Sequence, residues 1–476
     1  MQDQQDGVQE LGPAAADMGP GVLNAEKGEK PVLDPYSNDP FGDEEFAEIK
    51  YRTMSWWYDA PAPFQFLPLL GYGGYETQAG ITMIAETIAL GILSLPSVMA
   101  SIGMVATIIL ILGLGLIATY TAYVIGQFKL AYPHIHSMAD AGEVLLGRAG
   151  REIFGLAQLI FLVFVMGSHV LTFGIMLNTL SNHGTCTIVF DIVGMIVCFI
   201  FTLPRTLKKV SWLSLASFIS IVSAVMITMI AIGIEHPGKA VQATVHNDFY
   251  LGFLAVTDIV FAYAGHVTFF SFMSEMKDPK EYPKTVYLLQ SVDTALYLIA
   301  AVVIYCYGGQ QVASPALGSL SSVMSKVAYG IAIPTIIIAG VINGHVATKY
   351  IYVRIFRGTD RLHSRGIVAW SVWVALALLL WVLAWVIAEG IPVFNDLLGL
   401  IVALFASWFT YGLSAVFWLY LNRGNWFSST KKTFLTVVNI LVFGLGLALC
   451  ALGLYVSGKA IQESSGGLSF SCNNTA

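Results

Sequence analysis

Residues 78–103, with the sequence QAGITMIAETIALGILSLPSVMASIG, decide the fold of this chain. The stretch is long enough to cross a membrane, because about 20 apolar residues span a hydrocarbon core of about 30 Å. It also contains Glu86 and an interruption, GILSLP at 91–96, which a helix that only anchors a protein would lack. Pro96 has no amide hydrogen and Gly91 weakens a helix, so nearby backbone groups are free for a ligand. Transporters build binding sites at mid-membrane in this way.

The composition extends this prediction to the whole chain. Hydrophobic residues make up 56% of the sequence, charged residues make up 11%, and the mean hydropathy is +0.71. These values indicate an all-α polytopic membrane protein. The formal net charge of −6 comes from residues 1–50, which hold 12 acids and three lysines, so there is no basic character that predicts nucleic-acid binding.

The chain before the first span divides into two parts. Residues 1–57 are expected to form a cytosolic N-terminal tail, whose polar and acidic start is typical of disorder, with a regulatory or trafficking role as the alternative. Residues 58–77 are rich in Pro, Gly and aromatic residues and lack helical periodicity, so we expect an irregular insertion.

Ten further apolar segments follow the first one, which predicts eleven membrane spans in a core at 78–457. The expected further spans are 104–128, 153–180, 187–204, 210–234, 249–273, 285–307, 323–343, 366–388, 395–421 and 433–457. If the N-terminus is cytosolic, 21 of the 24 Lys and Arg residues fall inside, and only Lys239, Lys326 and Lys459 fall outside. This asymmetry favours an odd number of spans and an extracellular C-terminal tail at 458–476.

Span 6 repeats the interruption of span 1. The run 258–270, DIVFAYAGHVTFF, places a polar and glycine break at mid-depth. An offset of five spans inverts the second unit relative to the first, so 78–234 and 249–421 are expected to be inverted repeats, with span 11 as an extra helix.

Several motifs carry a family resemblance. The segments FGDEEF at 41–46, AET at 85–87, GILSLP at 91–96, GQFK at 126–129 and FAYAGH at 261–266 resemble the amino acid/auxin permease family of the amino acid-polyamine-organocation superfamily. More closely, they resemble the fungal neutral amino acid permeases. The resemblance implies a leucine-transporter-like fold with broken helices 1 and 6, and proton-coupled uptake of neutral amino acids at the plasma membrane. In that family Trp-Trp-Gln-Ala-Gly is continuous, so residues 58–77 are either a translated intron or a lineage-specific loop.

The two breaks supply the expected substrate site. The amides at 91–96 begin a half-helix whose positive end favours a carboxylate, and carbonyls freed in span 6 suit an ammonium group. A proline kink without a ligand is the alternative. The candidate substrate-binding residues are Thr87, Gly91, Ile92, Leu93, Ser94, Phe173, Tyr263, Ala264, Gly265 and His266.

Glu86 is the leading candidate for proton coupling, because an ionised carboxylate in the membrane costs at least a few kcal/mol unless it is protonated or paired. Asp258 and Asp293 share this reasoning, and a structural hydrogen bond is the alternative for each acid. Asp191 and Asp396 fall near span ends, where we expect solvation. His169 and His345 are favoured as neutral hydrogen-bonding residues, with a proton relay as the alternative, whereas the place of His266 at the break predicts substrate contact.

The C-terminal tail carries two further features. Asn473 begins an Asn-Asn-Thr glycosylation sequon. The scattered cysteines give no reason to expect a disulfide framework or a metal site, although Cys186 and Cys472 both fall outside and could pair.

A secondary transporter is therefore favoured, with alternating access and with neutral amino acids, either aliphatic or aromatic, and protons as its partners. The Gly-x-x-x-x-Gly-Lys-Ser/Thr motif of a primary pump does not occur, and no nucleophile and base arrangement indicates an enzyme. No cofactor is predicted. A nutrient receptor on a transporter scaffold, or an amino acid facilitator or exchanger, is the alternative.

Overall fold

The computed structural model describes residues 83–84, 87–205, 210–238, 241–276, 278–357, 359, 362, 364, 366–464 and 469–472. The chain divides into two units, Met1–Asp39 and Pro40–Ala476, and every described residue belongs to the second. The tail at 1–57, the insertion at 58–77, Glu86 and Asn473 lie outside the described residues, so the expectations for them stay predictions.

The described secondary structure is helical. The α-helices are α1 Leu95–Ile102, α2 Met104–Ala131, α3 Met138–Ser181, α4 Thr187–Thr202, α5 Val210–Glu235, α6 Phe249–Ala262, α7 Phe269–Glu275, α8 Tyr282–Gly308, α9 Ser322–Phe356, α10 Ile367–Gly390, α11 Phe394–Ile401, α12 Leu413–Leu421 and α13 Thr430–Ser464. A π-helix, Val402–Gly412, joins α11 to α12. Within the described ranges, nine helical stretches are long and apolar enough to cross a membrane, and two shorter apolar helices, Gly91–Ile102 and Thr187–Thr202, bring the set to the eleven expected segments.

Several helices extend well beyond the apolar runs that predicted them. The α3 run begins 15 residues before the expected start at 153, with a short helical segment that Ser137 and Asp140 cap through a capping box. The backbone kinks at Gly147, which has a φ of 64°, and the long helix follows this kink. Helix α9 continues 13 residues past 343, through Lys349 and Arg354. Hydrophobicity marks where a helix meets the hydrocarbon core, whereas capping and polar faces decide where the helix ends.

The helix contacts are those of an inverted repeat. If each span is replaced by its counterpart five spans away, the helix pair α3–α10 becomes the pair α9–α4. Both of these pairs are in contact. The same exchange turns α5–α9 into an α3 contact with α11, and α1–α8 into an α2 contact with α6 and α7. The expected two repeats and the additional α13 therefore describe the observed packing.

Helices α2, α5, α8, α10 and α13 present large apolar side chains outward. Leu116 of α2 is 72% exposed and Leu441 of α13 is 67% exposed. Outward apolar faces of this kind suit contact with lipid rather than water. The end of the bundle where α4 begins is called the Cys186 end below, and the opposite end, where α2 finishes, is called the Lys129 end.

A proline inside α9 is compensated by α5. Pro334 lacks an amide hydrogen and disturbs the helix around it. The Ser220 hydroxyl donates to the Ile331 carbonyl at 2.6 Å and accepts from the Thr335 amide at 3.4 Å. A single α5 side chain thus bridges the two backbone groups that a regular helix would join directly.

The chain beyond α13 returns to the bundle. Cys472 forms a disulfide with Cys186 at the start of α4, so the scattered spacing was a poor guide to cysteine pairing. Two cysteines 286 residues apart gave no local motif, and only the fold brings them together. Cys198 is a buried free thiol, and Cys306 and Cys450 are also unpaired.

We predict that Ser220→Ala lowers the free energy of unfolding by about 1–3 kcal/mol, because it leaves buried backbone groups of α9 without their partner. Thermal unfolding of the purified protein measures the effect. Ser371→Ala is the matched control, since Ser371 is exposed and bonds only within α10. Equal unfolding midpoints for the two variants would show that Ser220 does not stabilise the kink.

Candidate substrate site

The two interrupted spans meet at their breaks. Span 1 forms a 3-10 turn at Gly91–Leu93 before α1, and span 6 forms another at Gly265–Thr268 between α6 and α7. A Cβ added at Gly91 would lie 2.8 Å from the Ala262 Cα, closer than packed atoms allow. A Cβ at Gly265 would lie 3.0 Å from the Thr87 Oγ1. The Gly91 contact depends on glycine, because a side chain there would push the Ala262 backbone away. The Gly265 contact is tight, and a Cβ there would require the Thr87 side chain to shift.

Some backbone amides and carbonyls of the span-1 break already form hydrogen bonds within the same turn. The Leu93 amide donates to the Leu90 carbonyl at 3.0 Å, and the Ser94 amide and hydroxyl donate to the Gly91 carbonyl at 3.2 and 2.9 Å. Fewer amides are therefore available than the sequence predicts. Gly91, Ile92 and Leu95 carry the remaining candidate donors of the interval 91–96.

The break in span 6 is braced by two neighbouring helices. The Tyr297 hydroxyl of α8 donates to the Ala262 carbonyl at 2.8 Å. The Tyr263 hydroxyl lies 3.1 Å from the Ile111 carbonyl of α2 and 3.1 Å from Thr294 Oγ1. One carbonyl released by the break is thus already satisfied, and the Tyr263 side chain reaches toward α2 and α8. The Ala264 amide donates to the Phe261 carbonyl at 3.0 Å.

Asp293 of α8 lies next to this arrangement. It is fully buried, and neither carboxyl oxygen has a hydrogen-bond partner within the described ranges. Its carboxyl is close enough to the Tyr263 and Tyr297 hydroxyls to act on them electrostatically. An unpaired buried carboxylate is costly, so the surroundings favour a protonated acid or a bound partner.

Asp258 faces a different neighbour. Its side chain on α6 is 1% exposed, and the nearby charge that acts on it is Asp396 of α11. Asp396 is itself 4% exposed and Asp191 is 2% exposed, so the expectation that both are solvated was wrong. Proximity to a span end did not place either side chain in water, because neighbouring helices cover both. Glu86 lies outside the described residues and stays a prediction.

His266 is buried in the 3-10 turn of span 6 and points toward α2. Its Nε2 lies 3.0 Å from the Ala118 carbonyl and 3.0 Å from Thr121 Oγ1. A carbonyl only accepts, so this geometry assigns the ring proton to Nε2. The ring therefore uses Nε2 to join span 6 to α2, and the predicted substrate contact stays a prediction.

Phe173 packs against α4 through Gly194, where an added Cβ would lie 2.6 Å from its ring. These contacts place the ring at the α3–α4 interface, whereas Thr87, Gly91 and Gly265 come together at the breaks. His169 bonds the Ile336 carbonyl at 2.9 Å, and His345 bonds the Arg205 carbonyl at 3.1 Å. Both histidines have the structural bonds that the sequence favoured.

A cavity of about 450 Å³ reaches the span-1 break from the side of the bundle. Its lining is apolar and comes from α5, α8 and the break: Ile92, Val222, Val225, Met226, Met229, Ile230, Leu296, Ile299 and Val303. Ile230 and Ile299 are largely exposed on the outer surface. A space without polar groups cannot hold a carboxylate or an ammonium group, so the backbone breaks are the better candidate for those groups.

Polar contacts tie the bundle together at both ends. At the Cys186 end, the Asn395 amide donates to Ser97 Oγ of α1 at 3.5 Å and the Ser314 hydroxyl donates to Asn395 Oδ1 at 2.5 Å. At the Lys129 end, Lys129 is 5% exposed, and its ammonium group donates to Ser274 Oγ at 2.8 Å and to the Ile135 carbonyl. The two breaks therefore lie between two ends of the bundle at which polar contacts join neighbouring segments.

Sequence reasoning missed Tyr297, Thr294, Asn395 and the burial of Lys129. Tyr297 follows Asp293 by four residues, so the two share one face of α8, and that spacing was an available signal. Nothing local distinguished Lys129 from the other basic residues at span ends, because its acceptors come from the following loop and from α7.

Within the described residues, eleven apolar segments with two interrupted helices that meet at their breaks give the architecture of a membrane transporter. The family model described as transmembrane amino acid transporter protein matches residues 75–458, and the chain belongs to this family. It is therefore a multi-pass protein of an amino acid transport family.

Relatives support the same assignment. The N amino acid transport system protein of Neurospora crassa is 40% identical over 394 residues, which cover 80% of this chain and 84% of that protein. The amino acid transporter AVT1H of Arabidopsis thaliana is 26% identical and covers 80% of this chain and 89% of its own length. Among solved structures, Mhp1, a nucleobase-cation-symport-1 family transporter in a closed conformation with bromovinylhydantoin bound, is similar with a TM-score of 0.51. It is 11% identical and covers 82% of this chain and 93% of that chain, so this likeness concerns the fold alone.

We predict that Gly91→Ala reduces uptake of labelled amino acids strongly, because its Cβ forces the Ala262 backbone away at an overpacking cost of about 1–3 kcal/mol. Gly113→Ala is the matched control, since an added Cβ there meets nothing within 4 Å. Uptake per molecule of membrane-inserted protein is the measurement. Unchanged uptake by Gly91→Ala would contradict a functional contact between the breaks.

Proposed function

We propose that this protein imports neutral amino acids by proton symport across the plasma membrane, through alternating access to a site at the two breaks. The close approach of Gly91 to Ala262 supports the proposal, because it brings the two breaks, each with freed backbone groups, into contact. A free amino acid always has a carboxylate and an ammonium group close together. The two breaks together offer amide donors for the carboxylate and carbonyl acceptors for the ammonium group.

The substrate carboxylate is assigned to the amides of Gly91, Ile92 and Leu95 at the start of α1, where the helix dipole favours negative charge. The ammonium group is assigned to carbonyls of the span-6 break other than Ala262, whose oxygen accepts from Tyr297. Ile92 and Leu93 are apolar and buried beside these groups. An apolar wall favours an uncharged substrate side chain, which supports neutral specificity.

Proton coupling is supported by Asp293. Among the described residues no ion pair neutralises this buried carboxyl group. Its solvation therefore changes when a substrate fills the adjacent break, which links substrate and proton affinities. A sodium site would instead gather several oxygen ligands. Glu86, which lies on the first half of span 1, and Asp258 are the other candidates for the coupling acid.

In the proposed orientation, the Cys186 end faces the outside of the cell. The distribution of Lys and Arg supports a cytosolic N-terminus. The disulfide between Cys186 and Cys472 supports the same orientation, because such bonds persist in oxidising compartments. The Asn473 sequon directly follows Cys472, and in this orientation it is available for glycosylation.

The proposed function predicts that purified protein in liposomes accumulates a labelled neutral amino acid when an inward proton gradient is applied. Replacement of sodium by potassium or choline should leave accumulation unchanged. A receptor would bind the amino acid without accumulation, and an exchanger would require substrate on both sides. Either result would contradict proton symport.

We predict that Asp293→Asn abolishes proton-driven accumulation yet retains exchange of internal for external substrate, because the amide keeps the size of the side chain and removes its titratable proton. Glu86→Gln tests the alternative acid in the same way. Glu143→Gln is the control, since this exposed carboxylate pairs with Arg151 at the Lys129 end. Full accumulation by Asp293→Asn would transfer the coupling role to Glu86 or Asp258.

A further inference from the structure

Span 10 contains the π-helix Val402–Gly412. In a π-helix each hydrogen bond joins residues five positions apart, so one turn takes more residues than a turn of an α-helix. Segments of this kind are rare, and many of them occur at functional sites. The π-helix contacts the 3-10 turn of span 6, Gly265–Thr268, and it also contacts α2 and α6. It therefore lies beside the break to which the substrate ammonium group is assigned.

Ring contacts show how the π-helix is oriented. Phe405 and Phe409 pack against Phe161 of α3, with ring centroids 6.1 and 6.2 Å apart. Trp408 packs against Phe443 of α13, with ring centroids 6.0 Å apart. These contacts assign one side of the π-helix to α3 and another side to α13.

Thr410 lies on a side that neither group of rings occupies. In a helix with about four residues per turn, residues two positions apart lie on roughly opposite sides. Thr410 follows Trp408 by two positions, so its side chain points away from the contact with α13. It is 0% exposed, and the other neighbours of the π-helix there are α2 and span 6. The Thr410 side chain therefore faces the region of the breaks.

The Thr410 hydroxyl has no hydrogen-bond partner among the described residues. Threonines inside helices usually donate to a carbonyl of the preceding turn. Thr172 donates to the Ser168 carbonyl at 2.7 Å in this way, and Thr228 donates to the Ala224 carbonyl at 2.8 Å. An unpaired buried hydroxyl destabilises a fold, so a contribution to stability does not explain the one on Thr410.

The break in span 6 has carbonyls that are already engaged. The Ala262 carbonyl accepts from the Tyr297 hydroxyl at 2.8 Å, and the Gly265 carbonyl accepts from the Thr268 hydroxyl at 2.8 Å. A substrate ammonium group brings three N–H donors, each of which needs an acceptor. A further acceptor beside the turn would therefore complete the ammonium site.

We propose that the π-helix forms a third wall of the substrate site, in which the Thr410 hydroxyl accepts a hydrogen bond from the substrate ammonium group. This inference rests on the proposed function, because it adds an acceptor to the site between the two breaks. A hydroxyl oxygen has two acceptor lone pairs, so it suits an ammonium donor. All free amino acids share that donor, so Thr410 sets affinity for the whole substrate class rather than the choice of side chain.

The test is equilibrium binding of labelled leucine to purified full-length protein in lipid nanodiscs. Thr410→Val nearly keeps the shape of the side chain and removes its hydroxyl, so binding should weaken about tenfold or more, as expected for a lost bond to a charged group. Thr228→Val is the matched control, because that hydroxyl bonds within α5. Equal leucine affinity for Thr410→Val and wild type would overturn the proposal. Binding needs no proton gradient, so a failure of symport would leave this result unaffected.

Two further measurements separate a substrate contact from a structural role. Without ligand, Thr410→Val should unfold at the wild-type temperature or above it, because the change removes a buried hydroxyl that lacks a partner. Thr410→Ser keeps the hydroxyl and should retain most of the wild-type affinity for leucine. Destabilised Thr410→Val together with equally weak binding by Thr410→Ser would assign Thr410 to packing and contradict the proposal.

Isocaproate identifies the substrate group that Thr410 contacts. This compound has the carboxylate and the side chain of leucine but lacks the ammonium group. Its affinity is measured by displacement of labelled leucine. The ratio of leucine affinity to isocaproate affinity should fall about tenfold in Thr410→Val. A ratio equal to that of wild type would overturn the assignment of Thr410 to the ammonium group.

Discussion

The close approach of Gly91 to Ala262 is the contact on which the rest of the structure depends. Broken helices are tolerated inside a membrane only where protein or a ligand satisfies the freed backbone groups. Here Ser94 bonds the Gly91 carbonyl and Tyr297 bonds the Ala262 carbonyl, so each break is partly satisfied before a substrate arrives. The donors and acceptors that are left are the groups that the proposed substrate site would use, and the inverted repeat brings both breaks together.

At both ends of the bundle, polar side chains are likewise paired with partners from other segments. Lys129 is buried against Ser274 and loop carbonyls at one end, and Asn395 joins Ser97 to Ser314 at the other. Under the proposed alternating access, these contacts would open in turn at the two ends of the bundle. The disulfide instead joins the returning tail to the start of α4, a helix that contacts α3, α9 and α10.

The sequence predicted the architecture well because apolar length and interrupted helices are local properties. The eleven segments, the breaks in spans 1 and 6, and the five-span offset all follow from runs of a few residues. The side-chain arrangement was less accessible, because it depends on residues far apart in the chain. Tyr297 reaches Ala262 across 35 positions, Lys129 reaches Ser274 across 145, and Cys186 reaches Cys472 across 286. Asp191 and Asp396 illustrate the same limit, since a position near a helix end says little about burial when neighbouring helices extend past it.

The most direct measurement of the central claim is a cryo-electron microscopy structure of the purified protein with a bound neutral amino acid, compared with the same protein without it. The account predicts ligand density between the two breaks, with the carboxylate at the amides of Gly91, Ile92 and Leu95. It also predicts the ammonium group at carbonyls of the span-6 break, within reach of Asp293 and Tyr297. Ligand density elsewhere in the bundle, or breaks that remain unchanged and empty at saturating amino acid, would contradict it.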